Sequence, residues 1–357
     1  MNLGLIILVG GKSSRMGCNK AWLAWQGETF LDKLIEQAKA YDFAEIIVVA
    51  NEDDGQYQHL PVTITKDTYR ECGPLGGIHA GLCVGKSTYF VVVSCDMPLL
   101  NFGFIAKLKT YMDGKYKAIV PVTKEHQQPL AAMYHKDCLP VIVQLLENGD
   151  RKLGMLLQRV TTKRVIMQES SNLFFNVNTP AEFAIARAKA ENAKRKIPIV
   201  SIVAGKSGTG KTTLITKLIP VLKEMGITTA IVKSDSHGFA IDHEGKDTWK
   251  FTQAGADTVA IVSPTQYAII AQTKEKKSLL EVADKIENVD LIVIESRQSG
   301  VFPILEILRE GVSDTLITPS KDLVAVITDK PETDTVLKKL PLDEPEKTAM
   351  LIKELMQ

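Results

Sequence analysis

Residues 205–212 read GKSGTGKT, filling every fixed position of the phosphate-cradling pattern G-x-x-x-x-G-K-[ST] with Gly205, Gly210, Lys211 and Thr212. No other feature constrains the fold as tightly, because the pattern works only as a turn from a buried strand into a helix. Both flanks comply. The run 199-IVSIVA-204 is apolar and strand-sized, and 212-TTLITKLIPVLKEMG-226 reads as a helix stopped at Gly226. In that setting the backbone amides from Gly205 to Thr212 wrap a β-phosphate, Lys211 bridges phosphates and Thr212 holds Mg²⁺. Lys206, Ser207, Gly208, Thr209 and Thr213 complete the expected nucleotide-binding set. Glu295, ending 290-DLIVIE-295, is the candidate acid beside the metal. No [NT]-K-x-D signature for guanine occurs, so the base is unspecified; Asp329, after 323-LVAVIT-328, is a candidate for a base edge.

A second glycine-rich basic loop, 8-LVGGKSSRMGCNK-20, lies near the other end of the chain, after the apolar run Leu3–Val9. Gly10, Gly11 and Gly17 permit tight turning, and Lys12, Arg15 and Lys20 add positive charge, although the spacing matches neither common dinucleotide or P-loop pattern. Other strand-like runs are Glu45–Ala50, Val62–Thr65, Tyr89–Ser94 and Lys117–Val122, separated by helical stretches such as 30-FLDKLIEQAKA-40 and 101-NFGFIAKLKTYM-112. That alternation predicts a mostly parallel, doubly wound α/β sheet. Asn51, Asp67 and Asp96 fall at or just past strand ends, which in a parallel sheet share one rim. A carboxylate at Asp96 suits a hard Mg²⁺ ion bridging phosphate oxygens.

At 357 residues the chain can bury two cores. The Ala-rich basic segment 187-RAKAENAKRK-196 interrupts the alternation, which restarts at residue 199 with further strand candidates at 228-TTAIVK-233 and 258-TVAIVS-263. We therefore expect two tandem α/β domains, 1–190 and 198–357, joined by a solvated linker at 191–197. A net charge of +1 gives no field to draw nucleic acid or anionic lipid. No apolar run reaches bilayer length, and the N-terminus lacks the basic region of a secretion signal. Five cysteines with no C-x-x-C pair read as reduced thiols, so the expected compartment is the cytoplasm.

The run LVGGKSSRMG with Lys20, together with 73-GPLGGI-78, 94-SCDMP-98 and 176-NVNTPAEF-183, resembles the MobA-type molybdenum cofactor guanylyltransferases across residues 3–190. The resemblance implies a Rossmann-like nucleotidyltransferase domain that transfers GMP from GTP to molybdopterin and releases pyrophosphate. By motif, Leu8, Val9, Gly10, Gly11, Lys20, Asn51, Asp67 and Asp96 would hold GTP, with Asp96 and Asn178 as Mg²⁺ ligands. Arg15, Lys20 and Asp96 would be catalytic, since phosphoryl transfer needs charge neutralised on phosphate oxygens and the departing pyrophosphate. Gly73–Ile78 would shape the nucleotide side, and the segments 126–134 and 149-GDRK-152 the acceptor side. The nucleophile, a terminal phosphate, is already anionic and needs no strong base.

The second half is similar to the MobB-type molybdopterin-guanine dinucleotide biosynthesis adapters, carried by GKSGTGKTTLITKLIP, 233-KSDSHGFAIDHEGKDT-248 and 254-AGAD-257. It departs from that pattern where E-G-F-K becomes 295-ESRQ-298 and where a K-H pair becomes Lys233-Ser234. The departures bear on GTP hydrolysis rather than on phosphate binding. Together the resemblances imply a transferase fused to a GTP-binding adapter. Expected partners are GTP, molybdopterin, and other cofactor-biosynthesis proteins or recipient molybdoenzymes. A cytidylyl- or sugar-phosphate nucleotidyltransferase, or a GTP-dependent carrier without catalysis, are the alternatives that the residues leave open.

Overall fold

The computed structural model describes residues 2–10, 19–50, 57–69, 72–124, 126–167, 171–235, 238–239, 241–298, 300–330, 333 and 335–357. It forms two compact units, residues 1–187 and 188–357. Gly11, Arg15, Asn51 and His237 lie outside the described residues.

Unit 1 is built on an eight-stranded sheet. Its main strands are β1 (Leu3–Val9), β2 (Ile46–Ala50), β3 (Thr63–Thr65), β4 (Tyr89–Ser94), β5 (Ala118–Thr123), β6 (Ala131–His135) and β7 (Thr162–Ile166), ordered β7-β5-β6-β4-β1-β2-β3, with the short strand His126–Gln127 paired to β5. Along that order all neighbours are parallel except at β6, which runs antiparallel to β4 and β5, and the short strand is likewise antiparallel to β5. The continuous apolar runs have a direct physical cause. Leu5, Ile7 and Val9 pack into one core and Ile6 and Leu8 into another on the opposite face, so neither parity of β1 can be polar.

Helix α1 (Phe30–Ala40) covers the first face with Leu31, Leu34, Ile35 and Ala38, and the Thr29 hydroxyl caps it by accepting from Asp32 N–H at 3.1 Å. Helix α2 (Gly73–Val84) covers the other face unusually closely. A Cβ on Gly77 would stand 2.9 Å from Leu8 Cδ2, and one on Gly81 2.7 Å from Ile6 Cδ1. The glycines of 73-GPLGGIHAG-81 thus bring helix backbone against the centre of the sheet.

Unit 2 has a six-stranded, wholly parallel sheet made of β8 (Ile199–Val203), β9 (Thr229–Lys233), β10 (Leu291–Ser296), β11 (Ile304–Leu308), β12 (Leu323–Thr328) and β13 (Lys338–Pro341), ordered β9-β10-β8-β11-β12-β13. The strand predicted at 258–263 forms as Thr258–Val262, but it pairs antiparallel with Tyr267–Ala271 in a separate hairpin and leaves Ile261, Val262 and Ile269 exposed. Helix α4 (Lys211–Glu224) buries Leu214, Ile215, Leu218 and Leu222 and packs on the terminal helix Pro345–Met356. Among the described residues no helix is long and apolar enough to cross a membrane.

Gly81→Val should force the added methyls into Ile6 at the centre of unit 1. Overpacking of this kind costs about 1–3 kcal/mol, read as a lower urea midpoint for the unit 1 transition with the unit 2 transition unmoved.

Candidate functional site

In unit 1 the polar residues appear where the strands stop. Asp96 follows β4 by two residues, and its own carbonyl accepts from Val177 N–H at 2.8 Å, which draws the segment 176-NVNTP-180 to the sheet edge. That contact brings Asn178 within reach. Lys20 Nζ donates to Asn178 Oδ1 at 2.7 Å and approaches Asp96 Oδ2 at 3.4 Å, with the Lys20 and Asp96 side chains 17% and 19% exposed. Glu182, in the first turn of helix α3 (Pro180–Asn192), accepts from Asn178 N–H at 2.7 Å and fixes this segment. Lys20 opens a short 3₁₀ turn (Lys20–Trp22) capped by Asn19, whose side-chain oxygen accepts from Ala21 N–H.

The other Asp96 oxygen, Oδ1, is buried with no hydrogen-bond partner among the described residues. An orphaned carboxylate oxygen beside an amide oxygen is a donor set that fits a hard divalent cation. No group of three or more His, Cys, Asp or Glu side chains suited to a metal occurs among the described residues. One carboxylate completed by phosphate oxygens is the usual Mg²⁺ arrangement. Neighbouring Cys95 is inert: burial, reinforced by the adjacent Asp96, pushes its thiol up to about 12.

Asp67 lies against the first turn of α2. Its Oδ1 accepts from Tyr69 N–H at 2.8 Å, and a Cβ on Gly76 would stand 2.5 Å from its Oδ2. Burial raises the Asp67 carboxyl above its ordinary value, opposed by the Tyr69 hydrogen bond and by His79. Leu8 and Val9 are core residues of β1, so their polar contribution is confined to backbone; Cys95 N–H already donates to Leu8 O at 3.1 Å. Gly10 is exposed just past the strand.

In unit 2 the loop from Gly205 to Gly210 joins β8 to α4, with Gly208 and Gly210 at φ +79° and +93°, the left-handed region that glycine adopts without strain. Lys211 folds back over the loop, donating to Ala204 O at 3.2 Å and Lys206 O at 3.4 Å, and is only 7% exposed. Burial holds its ammonium below the ordinary lysine value; Glu295 opposes this, while Arg297 and Lys233 add to it. The Thr212 hydroxyl donates to Glu295 Oε1 at 3.0 Å, so the two expected metal-side residues meet. Thr209 Oγ1 closes the loop onto Lys206 O at 3.3 Å.

These residues line a pocket of about 390 Å³ that also takes in Ser207, Thr213, Lys233, Lys276, Arg297 and Arg309. Gly205 and Lys206 flank it on the entering chain, and Gly205 is packed by Ile317, to which a Cβ would come within 2.9 Å. Asp329 is not in the pocket lining; it accepts from Glu310 N–H at 2.8 Å and stands 3.8 Å from the Nε of the lining residue Arg309. Arg309 escaped sequence reasoning because β11 did; Arg297 was visible only as a departure from a pattern.

Comparison with known proteins adds an independent result. The family described as "MobA-like NTP transferase domain" matches residues 5–165, and that described as "Molybdopterin guanine dinucleotide synthesis protein B" matches residues 199–329. A Clostridium perfringens protein named "Probable molybdenum cofactor guanylyltransferase" is 35% identical over 50% of this chain and 92% of its own length. The molybdenum cofactor guanylyltransferase of Vibrio cholerae is 33% identical over 50% and 88%. The solved structure of Bacillus subtilis MobB aligns at 24% identity over 44% of this chain and 98% of that one, with a TM-score of 0.36.

Because the fold raises the cost of ionising Asp67, Asp67→Asn should stabilise unliganded unit 1 at neutral pH. The linkage sign fixes the window: the gain is full well above the raised carboxyl value and vanishes below the ordinary 3.8, where both states hold the proton. Urea midpoints of the variant and the parent chain from pH 3 to pH 7 check this.

Proposed function

The chain belongs, through unit 1, to the molybdenum cofactor guanylyltransferase family, and from that premise we propose that it transfers GMP from GTP to molybdopterin, with unit 2 a fused GTP-binding adapter. The observation that carries the reading is Lys20 held between Asp96 and Asn178 at the carboxyl edge of the sheet. An oxygen of the terminal phosphate of molybdopterin attacks the α-phosphorus of GTP. The bond from that phosphorus to the bridging oxygen breaks, and pyrophosphate leaves. Nucleophile and leaving group are both anions, so no proton need move and no side-chain base is required.

The residues of unit 1 then serve to position charge. Lys20 can turn its donors on the departing pyrophosphate, which would free Asn178 Oδ1 for the metal. Arg15 is assigned the same duty from sequence. Asp96 Oδ1 and Asn178 Oδ1 are the groups that would hold Mg²⁺, which when bound supplies charge neutralisation on phosphate oxygens. Asp67, backed by the closely packed α2, and the backbone of Leu8–Gly11 with Asn51 make up the GTP side. In unit 2 Thr212 and Glu295 would hold a second Mg²⁺, with the phosphates on the loop amides and Lys211. Protein partners on this reading are the cytoplasmic enzymes that prepare molybdopterin and those that receive the dinucleotide cofactor.

Incubating the protein with molybdenum-loaded molybdopterin, Mg²⁺ and each nucleoside triphosphate, then weighing the products by mass spectrometry, tests the assignment. A guanosine adduct with pyrophosphate is expected; a cytidine adduct in its place refutes it. Lys20→Ala and Asp96→Ala should each lower transfer by about 10²-fold or more with circular dichroism unchanged. Lys211→Ala should leave transfer measurable at saturating GTP and reduce it when GTP is limiting. Complete loss at saturation would mean one composite site instead of two.

A further inference from the structure

The loop motif of unit 2 wraps a β-phosphate and lets Lys211 bridge phosphates, but it leaves most oxygens of a third phosphate without a donor. Two arginines outside the motif address that. Arg309 stands one residue past β11, the strand on one side of β8. Its Nη1 donates to Gly208 O at 3.3 Å, and its Nε faces Asp329 Oδ2 at 3.8 Å. Asp329 is itself held by Glu310 N–H, and Arg309 N–H donates to Ser313 Oγ at 3.0 Å, so both ends of the Arg309 residue are fixed. Arg297 stands one residue past β10, the strand on the other side of β8, and its Nη2 lies 3.4 Å from Ser207 Oγ. The two guanidinium groups therefore reach the tip of the loop, Ser207–Gly208, from opposite flanks. Among the described residues Arg297 pairs with no carboxylate, and Arg309 Nη2 makes no hydrogen bond.

We propose that Arg297 and Arg309 read the terminal phosphate, so that unit 2 holds a nucleoside triphosphate in preference to the diphosphate. This rests on the loop being a nucleotide site. Five cationic side chains face two carboxylates in the pocket lining, and the motif explains only one of the five, Lys211. The loop amides and that lysine already suffice for a β-phosphate. Planar guanidinium forks with free donors are the groups that match further phosphate oxygens. The sequence departure fits as well: where the adapter pattern E-G-F-K ends in lysine this chain has Gln298, and a cation stands one position earlier, at Arg297.

The test must see unit 2 alone in a chain with two nucleotide sites. Hydrogen exchange of the amides in residues 204–214 of the full chain does so, titrated with Mg²⁺ and either GDP or β,γ-imido-GTP. The parent chain should be protected at a concentration of the triphosphate analogue about tenfold lower than of GDP. Arg297→Ala and Arg309→Ala should each weaken the analogue about tenfold and GDP by less than about twofold, with Arg309→Lys recovering part of the loss. Equal weakening of both nucleotides would mean that the arginines only prop the loop, and the proposal falls; so it does if the analogue is unaffected or the parent chain shows no preference. If neither nucleotide protects these amides in the parent chain, matching Lys211→Ala, the nucleotide-site reading fails first and the inference with it.

Discussion

A largely parallel sheet covered by helices takes polar side chains on its faces only where they find buried partners, so most of its chemistry is pushed to the edge where the strands end. Both units obey this constraint around one central strand. In unit 1, β1 carries buried side chains on both faces from Leu3 to Val9, and the first exposed position is Gly10. Its neighbour β4 is apolar from Tyr89 to Val93, and Asp96 follows two residues after its end. In unit 2, β8 is buried throughout and yields at once to the phosphate loop, with Glu295 and Arg309 at the ends of the strands on either side. The folding rule and the site are one arrangement.

Holding a loop at that edge still requires support from below, and the two units find it differently. Unit 1 uses absence of side chains: Gly77 and Gly81 let α2 settle on Leu8 and Ile6, and Gly76 leaves room for the Asp67 carboxylate. Unit 2 uses a buried charge. Glu306, 1% exposed on β11, accepts from Ile317 N–H and Thr318 N–H at 2.8 Å each. Two charge-assisted bonds offset much of the cost of desolvating that carboxylate. The segment they fix packs Ile317 against Gly205, at the first residue of the phosphate loop. A buried polar group outside the loop thereby shapes the backbone proposed to receive phosphates.

How far the sequence could be read follows from the same physics. The apolar runs of β1, β2, β4, β8, β10 and β12 were legible because burial on both faces leaves an unbroken hydrophobic signal. β11 was not, since Glu306 interrupts 304-ILEIL-308, and with the strand went Arg309. β6 hid in 131-AAMYH-135, short, alanine-rich and preceded by Pro129. Asn178 could be placed only through a family pattern: it ends no strand and reaches the site because Val177 N–H binds the Asp96 carbonyl, a contact no periodicity encodes. The strand at Thr258–Val262 has the right residues for a buried sheet but exposes Ile261 and Val262, because one hairpin partner covers a strand edge and not a face.

On the proposed function, the two lysines at the two edges carry the difference between transferring a nucleotide and keeping one. Lys20 shares its donors between Asp96 and Asn178, side chains that hold the ammonium but leave it partly exposed and able to lean toward a leaving pyrophosphate. A transferase gains only from contacts that strengthen in the transition state, and it must let its product go. Lys211 is buried and tied to two carbonyls of its own loop, so its charge is preset for a phosphate that stays. Burial depresses its affinity for the proton, and phosphate charge would restore it, so ligand and lysine stabilise one another. On the proposed function such an adapter would resist exchange, whereas among the described residues Lys20 is the more exposed of the two lysines, 17% of its side chain against 7% of the whole Lys211 residue. On the proposed division of labour, the phosphate loops differ because one must release pyrophosphate at every turnover and the other must retain a nucleotide between encounters.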